Sequence, residues 1–248
     1  MSSWKFLAQE IQQWQSPIPF WWRDDDAVAD TDALQKMLAI ADKFTIPVHL
    51  AVIPDALEDS LQNITLAAQK PHCYVLQHGF EHRSFALEGQ RKIELGGSQE
   101  IDIIQSKLSV GRERLQTVFA DQYLDILVPP WNRISDEIAA KLPDIGYQKL
   151  SILGGAKVEE SDFLLNVHID IINWKQRSFA GEALVLSKIT AHLCELRLKQ
   201  QTSLKPCGLM THHLDHDLPC WQFIEQFFYF CQDHPQIKWI SGDALYAY

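Results

Sequence analysis

The sequence contains no Cys-x-x-Cys pair. Its five cysteines, Cys73, Cys194, Cys207, Cys220 and Cys231, are odd in number and widely spaced. That excludes a zinc ribbon and a thioredoxin-type motif, and reduced thiols in a cytoplasmic protein are the simplest account. Positive charge is also scarce: 22 Lys and Arg against 32 Asp and Glu give a formal net charge of −10. A general grip on nucleic-acid phosphates needs the opposite sign, and an acidic membrane surface is an equally poor partner. No apolar run is long enough to cross a bilayer. The first fifteen residues read as an amphipathic helix (Trp4, Phe6, Leu7, Ile11, Trp14) without the apolar core of a signal peptide. There is no repeat, low-complexity tract or linker. These absences lead to the expectation of a cytoplasmic protein forming one domain, residues 1–248.

What is present is alternation. Apolar runs at Phe20–Trp22, Ile46–Ile53, Cys73–Leu76 and Leu124–Val128 read as strands, with further ones at Gln148–Leu153, Leu164–Ile172, Gly208–Thr211 and Lys238–Ser241. Helical spacing lies between them, from Asp32, from Leu57 to Gln69, from Ser98 to Phe119, from Ser135 to about Leu142, from Gly181 to Gln200 and from Pro219 to Cys231. Strands alternating with helices predict an α/β fold with a parallel sheet and helices outside. Seven or eight such units in 248 residues argue for a closed or nearly closed barrel, whose chemistry sits at the carboxyl ends of the strands.

Polar clusters follow those strand ends. The aromatic run Phe20-Trp21-Trp22 ends in Arg23-Asp24-Asp25-Asp26. Adjacent carboxylates resist ionising together and need solvent, basic partners or a cation. His78 and His82 follow the third strand, and on a helical turn their spacing would put both imidazoles on one face. A carboxylate from the first strand completes an Asp-His-His set with room for a water, the pattern of a catalytic metal site. Asp25 has the chemistry of a general base and His212 that of an acid. One mouth is expected to gather Asp24 to Asp26, His78, His82, Trp131, Asp170 and His212. His168 is expected to share a face with Asp170 by the period-two rule. Trp21, Trp22 and His49 read as core, Trp131 and Trp174 as a possible sugar platform, Gly89–Gly97 as a polar loop, and Glu159–Asp162 as a solvated acidic patch.

This set resembles the polysaccharide deacetylase superfamily (carbohydrate esterase family 4, NodB homology). The resemblance implies a distorted (β/α)7-type barrel. Arg23-Asp24-Asp25-Asp26-Ala27 fits the first motif, Thr-Phe-Asp-Asp-Gly, which implies Asp25 as base and Asp26 as metal ligand. A shift to Asp24 and Asp25 would misplace the small residue. His78 to His82 match the second motif, implying that both bind the metal. Val128-Pro129-Pro130-Trp131-Asn132 stands for the third, implying that the Trp131 backbone N–H holds the oxyanion. Leu209-Met210-Thr211-His212 stands for the fifth, implying His212 as the acid, with His213 a rival in the same loop. A divalent metal, zinc by expectation, is the implied cofactor.

Two departures stand out. Val128 replaces the third-motif Arg that pairs with the base, leaving Arg23 or Arg133 to substitute. Asn173 occupies the second acidic position of the fourth motif, Asp170-Ile171-Ile172-Asn173-Trp174, leaving Asp170 to tune His212. The function read from this pattern is metal-dependent removal of an acyl group, N-acetyl first, from a sugar or small carbohydrate-containing metabolite. The alternatives are hydrolysis of another non-peptide C–N bond, and a decayed carbohydrate-binding protein on the same fold. The pattern says nothing of oligomeric state.

Overall fold

Strand β1 (Ile18–Ala27) is the axis of the molecule, and nine of its ten residues are buried. The computed structural model describes residues 3–67, 72–154, 161–199 and 205–248. In chain order the elements are α1 (Ser3–Ile11), β1, α2 (Asp32–Phe44), β2 (Val48–Val52), α3 (Asp59–Ala67), β3 (Cys73–His78), α4 (Ile101–Phe119) and β4 (Tyr123–Val128). There follow α5 (Asp136–Ala139), α6 (Leu142–Ile145), β5 (Lys149–Leu150), β6 (Ile169–Asp170), β7 (Ile172–Asn173) and β8 (Ser178–Phe179). The last are α7 (Glu182–Leu198), β9 (Cys207–Thr211), α8 (Leu218–Gln232) and β10 (Ile237–Trp239). The expected helix ends at Gln69 and Gln200, and Glu159 of the acidic patch, lie outside the described residues.

The main sheet runs β5-β4-β3-β2-β1-β9-β6, and β10 pairs with the first residues of β1. Every pair in it is parallel. Parallel strands covered on both faces read as unbroken apolar runs, which is why β2 and β9 are buried throughout. Inward-facing Trp21, Ala51, Leu76, Ile126, Val128 and Met210 fill the barrel. Outward-facing Phe20, Trp22, Leu50 and Leu209 pack under the helices against Phe223, Phe227 and Phe228 of α8. Each such fully buried large side chain contributes about 1.5–3 kcal/mol.

The barrel closes through an irregular segment. Leu150 N–H donates to the Phe163 carbonyl, Leu165 N–H to that of Leu150, and Val167 N–H to that of Ile152. One residue later, His168 N–H donates to the Gly208 carbonyl. Here the chains approach so closely that a Cβ on Gly208 would lie 2.5 Å from the Val167 Cα, so glycine is required. The result is a distorted (β/α)7 barrel.

Several expectations need correction here. The run Leu164–Ile172 is not one strand; it gives two isolated bridges, the two-residue β6, and β7, which turns into an antiparallel hairpin with β8. The period-two rule fails across it, because Val167 faces the barrel interior while Ile169 faces the helices. His168 therefore does not share the mouth with Asp170. It stacks on His192 of α7 at 3.9 Å between centroids, and its Nδ1 accepts the Gly208 N–H. The helix expected from Ser135 to Leu142 is two single turns, α5 and α6, broken between Ala139 and Leu142. Caps occur where side chains supply them: Thr31, Ser135 and Asp217 accept N–H groups at the starts of α2, α5 and α8. Each is worth about 1 kcal/mol. Among the described residues, no helix is long and apolar enough to cross a membrane.

Candidate active site

The acidic end of β1 is shaped by a bulge. Asp24 pairs with Leu50 and Ala27 with Val52, so three steps on β1 oppose two on β2. Asp26 takes a left-handed backbone, φ 73°. An extra residue re-aims the side chains beyond it. Strict alternation would put Asp24 and Asp26 on one face. Instead Asp25 and Asp26 both line a cleft of about 620 Å³ at the barrel mouth. Asp24 is turned away, fully buried, and accepts from Thr211 Oγ1 (2.5 Å) and the His213 N–H (3.0 Å), with His213 Nδ1 2.5 Å from its other oxygen. Asp24 thus does not join the mouth, and His213 is bound to Asp24 at 1% exposure, not set in the cleft. His212 lines it.

Asp26, His78 and His82 converge. The Asp26 Oδ1 lies 3.1 Å from His78 Nε2 and 3.3 Å from His82 Nε2, and the three donor atoms lie within 4.8 Å of one another. The two histidines do not sit on a helical turn, so it is not helical spacing that brings their imidazoles together. His78 is the last residue of β3, and His82 follows a turn that it ends with φ 53°. His78 Nδ1 is 3.0 Å from the Val128 carbonyl, an acceptor only, so Nδ1 carries the proton. In a neutral imidazole Nε2 then presents a lone pair to a carboxylate oxygen that has no hydrogen-bond donor among the described residues. Two arrangements relieve that: a doubly protonated His78, or a cation shared by all three groups. The donor set and the backbone-oriented imidazole suit a divalent metal such as zinc. Burial pushes the Asp26 carboxyl up, but His78 and the other nearby imidazoles hold it well below its ordinary value.

Around this triad each neighbour has a physical anchor. Asp25 is gripped by Arg23 through two parallel bonds, Nε to Oδ1 at 2.8 Å and Nη2 to Oδ2 at 2.9 Å. Arg23 is fully buried, and its remaining N–H groups donate to Ser151 and to Asn132 Oδ1. Of the two candidate replacements for the missing third-motif arginine, the structure therefore pairs Arg23 with Asp25. Arg133 instead donates to the Lys92 carbonyl. Trp131 (φ 56°) and Asn132 (φ 54°) form a left-handed turn after two prolines, which places the Trp131 ring 4.7 Å from that of His82. Left-handed non-glycine residues cost energy and cluster at functional sites.

His212 Nε2 is 3.9 Å from Asp25 Oδ2, and its ring meets the Trp174 indole edge-on at 4.5 Å. Its Nδ1 is buried with no hydrogen-bond partner among the described residues. Asp170 does not supply one. Its oxygens accept the Ile172 N–H and Trp174 Nε1. Burial raises the Asp170 carboxyl, against the pull of those two donors.

Sequence reasoning missed Glu94. It lies in the stretch read as a polar loop, yet it is 1% exposed. Its carboxylate accepts the N–H groups of Phe80, Glu81 and His82 and so shapes the turn between the two histidines. The available signal was a carboxylate between Ile93 and Leu95. Burial raises its pKa, only partly offset by those amides. His49 is core, as expected, with Nδ1 2.9 Å from the Trp22 carbonyl.

No protein-family model matches the chain, and no curated protein matches it. Solved structures do. A T48 deacetylase with substrate superposes with a TM-score of 0.57 at 13% identity, over 94% of this chain and 92% of that one. A family 4 acetyl xylan esterase from Clostridium thermocellum, in complex with a cobalt ion, gives 0.53 at 11%, over 87% and 84%. A carbohydrate esterase family 4 pseudoenzyme from Bacillus anthracis gives 0.56 at 12%, over 90% and 62%. At such identities the likeness is one of fold. The chain has the fold of these deacetylases and family 4 carbohydrate esterases. Against the motifs its sequence resembles, the guanidinium beside Asp25 comes from Arg23, and Asn173 stands at the second acidic position of the fourth.

Proposed function

We propose that this protein is a metal-dependent hydrolase that removes an acyl group, N-acetyl first, from an amine on a sugar or sugar-containing metabolite. The observation that carries the reading is the convergence of Asp26, His78 and His82 in a cleft that also holds Asp25 and His212. Asp26, His78 and His82 would hold the divalent metal, zinc by expectation, although such a mixed oxygen and nitrogen set also admits cobalt, nickel or iron. When bound, the metal acidifies water and polarises a carbonyl. Asp25, oriented by Arg23, takes the proton of the attacking water. The Trp131 N–H would hold the oxygen on which charge develops. His212, whose Nε2 lies 3.9 Å from Asp25, gives its proton to the departing amine. The exposed indole of Trp174 and the ring of Trp131 offer flat apolar faces to a sugar. The cleft also suits hydrolysis of another small amide. The reaction is set in the cytoplasm, a reading supported by five widely spaced cysteines with no Cys-x-x-Cys pair, and cell fractionation tests it.

The unpartnered Nδ1 of His212 and the pseudoenzyme on the same fold favour a second reading, a carbohydrate-binding protein that has lost turnover. Elemental mass spectrometry of the purified chain, with Asp26→Ala and His78→Ala alongside, separates them when combined with acetate release from acetylated sugars. Near-stoichiometric metal, lost in both variants, together with acetate release supports the hydrolase. Metal without turnover on any amide leaves the binding protein, and no metal even after zinc incubation sinks the mechanism.

A further inference from the structure

The cleft holds more positive charge than its own carboxylates engage; the argument rests on the cleft being the acyl-hydrolase site proposed above. Asp25 is held by Arg23 and Asp215 by Arg177. Asp170 is engaged by Trp174 and the Ile172 amide, and Asp26 faces the two imidazoles. Lys92 and Arg133 also line the cleft, and among the described residues neither is paired with a carboxylate.

Each cation has a fixed point beside the cleft. Arg133 Nη1 donates to the Lys92 carbonyl at 3.0 Å, which ties the guanidinium to the loop that also carries Glu94. A guanidinium has five N–H donors in a fixed fork, so this one bond leaves donors for a planar or tetrahedral oxyanion. The Lys92 ammonium lies over the Trp131 ring, 5.5 Å from its centroid, a contact that an incoming anion can replace. Trp131 in turn packs on His82, so one indole separates the Lys92 ammonium from that candidate metal ligand. The surrounding chain carries a net charge of −10, so two cations in the cleft with no carboxylate partner run against the field of the whole molecule.

We infer that Lys92 and Arg133 form a subsite for an oxyanion, a phosphate or a carboxylate, borne by the acylated sugar about one ring away from the scissile amide. The substrate class is then an anionic N-acyl sugar, and a neutral polysaccharide lacks the group this rim is built to take.

Calorimetry on the zinc-loaded full chain at low salt tests this with three probes: N-acetylglucosamine, N-acetylglucosamine 1-phosphate and N-acetylmuramic acid. At least one anionic sugar is expected to bind about tenfold more tightly than the neutral one, from two charge-assisted contacts. The gain is expected to fall below about threefold in the Lys92→Gln/Arg133→Gln double variant, with affinity for the neutral sugar unchanged. Whichever anionic sugar gains more assigns the group as phosphate or carboxylate. Equal binding of all three, or no binding, overturns the subsite. So does a preference that survives in the double variant, because it would place the anion elsewhere, the zinc included. If the preference appears and is lost in the variant while no sugar releases acetate, the subsite stands and the hydrolase reading falls.

Discussion

Arg23 is a charge with no solvent. Its guanidinium and the Asp25 carboxylate are both buried, and the pair is bidentate. Removing one member of a buried pair leaves an uncompensated charge that costs about 3–5 kcal/mol, whereas replacing both with apolar groups is often near neutral. Arg23→Met is therefore expected to lose about that much unfolding free energy in denaturant titrations, and the Arg23→Met/Asp25→Leu double variant to recover most of it. Arg23→Lys is not expected to rescue, because an ammonium cannot reproduce two parallel bonds to Asp25 while also reaching Ser151 and Asn132. A double variant as unstable as the single one would show that Arg23 contributes by packing instead of by pairing.

At the scale of elements, the site depends on a turn that no helix or strand supports. The chain from Gly79 to His82 leaves β3 with Gly79 at φ 55° and returns His82 at φ 53°, and Glu94 satisfies three successive amides inside it. A Cβ on Gly79 would sit 2.6 Å from Pro130 Cδ, so glycine gives the third-motif turn its close approach. Glu94→Ala would leave those amides without their acceptor at about 1–3 kcal/mol for the first buried one, with part relieved by water. Groups that orient metal ligands typically matter by about 10–100-fold in affinity. The expected outcome is a zinc dissociation constant raised by that factor in competition with a chelating dye, with a modest fall in stability. Unchanged zinc affinity would mean that His82 holds its place without the turn.

For the whole molecule, the Asp24–His213 pair joins the centre of the sheet to the loop after β9, 189 residues away in sequence. Burial lowers the His213 pKa, but the charge and hydrogen bond of Asp24 reverse this and raise it above 6.5. Burial raises Asp24, and His213 outweighs that and holds it below 3.8. The His213 contribution is present below pH 6.5 and is lost as pH rises through its raised pKa. That of Asp24 is present above 3.8 and is lost as pH falls through its depressed pKa. The stability difference between the protein and His213→Phe is thus expected to be greatest between these limits, at about 3–5 kcal/mol, and to shrink on the alkaline side. Chemical denaturation across pH checks it, and a flat difference would mean that His213 is neutral in the fold.

The sequence by itself determined the order of strands and helices, the burial of the aromatic run in β1, and the strand ends that bear chemistry. Those features are local: apolar periodicity, capping residues and prolines act within a few residues. Tertiary structure decided which carboxylates share the cleft, because the bulge that aims both Asp25 and Asp26 into it exists only in the pairing of β1 with β2. It also decided that Arg23 is the guanidinium that grips Asp25, since the Ser151 and Asn132 that hold it lie 128 and 109 residues away. It set His212 in the cleft and His213 against Asp24, a choice that adjacent histidines cannot make without the strand beside them. Period-two reasoning failed at His168, and the polar-loop reading overlooked Glu94, for the same reason. Where a short strand breaks or a loop folds back, the direction of a side chain is fixed by partners far along the chain.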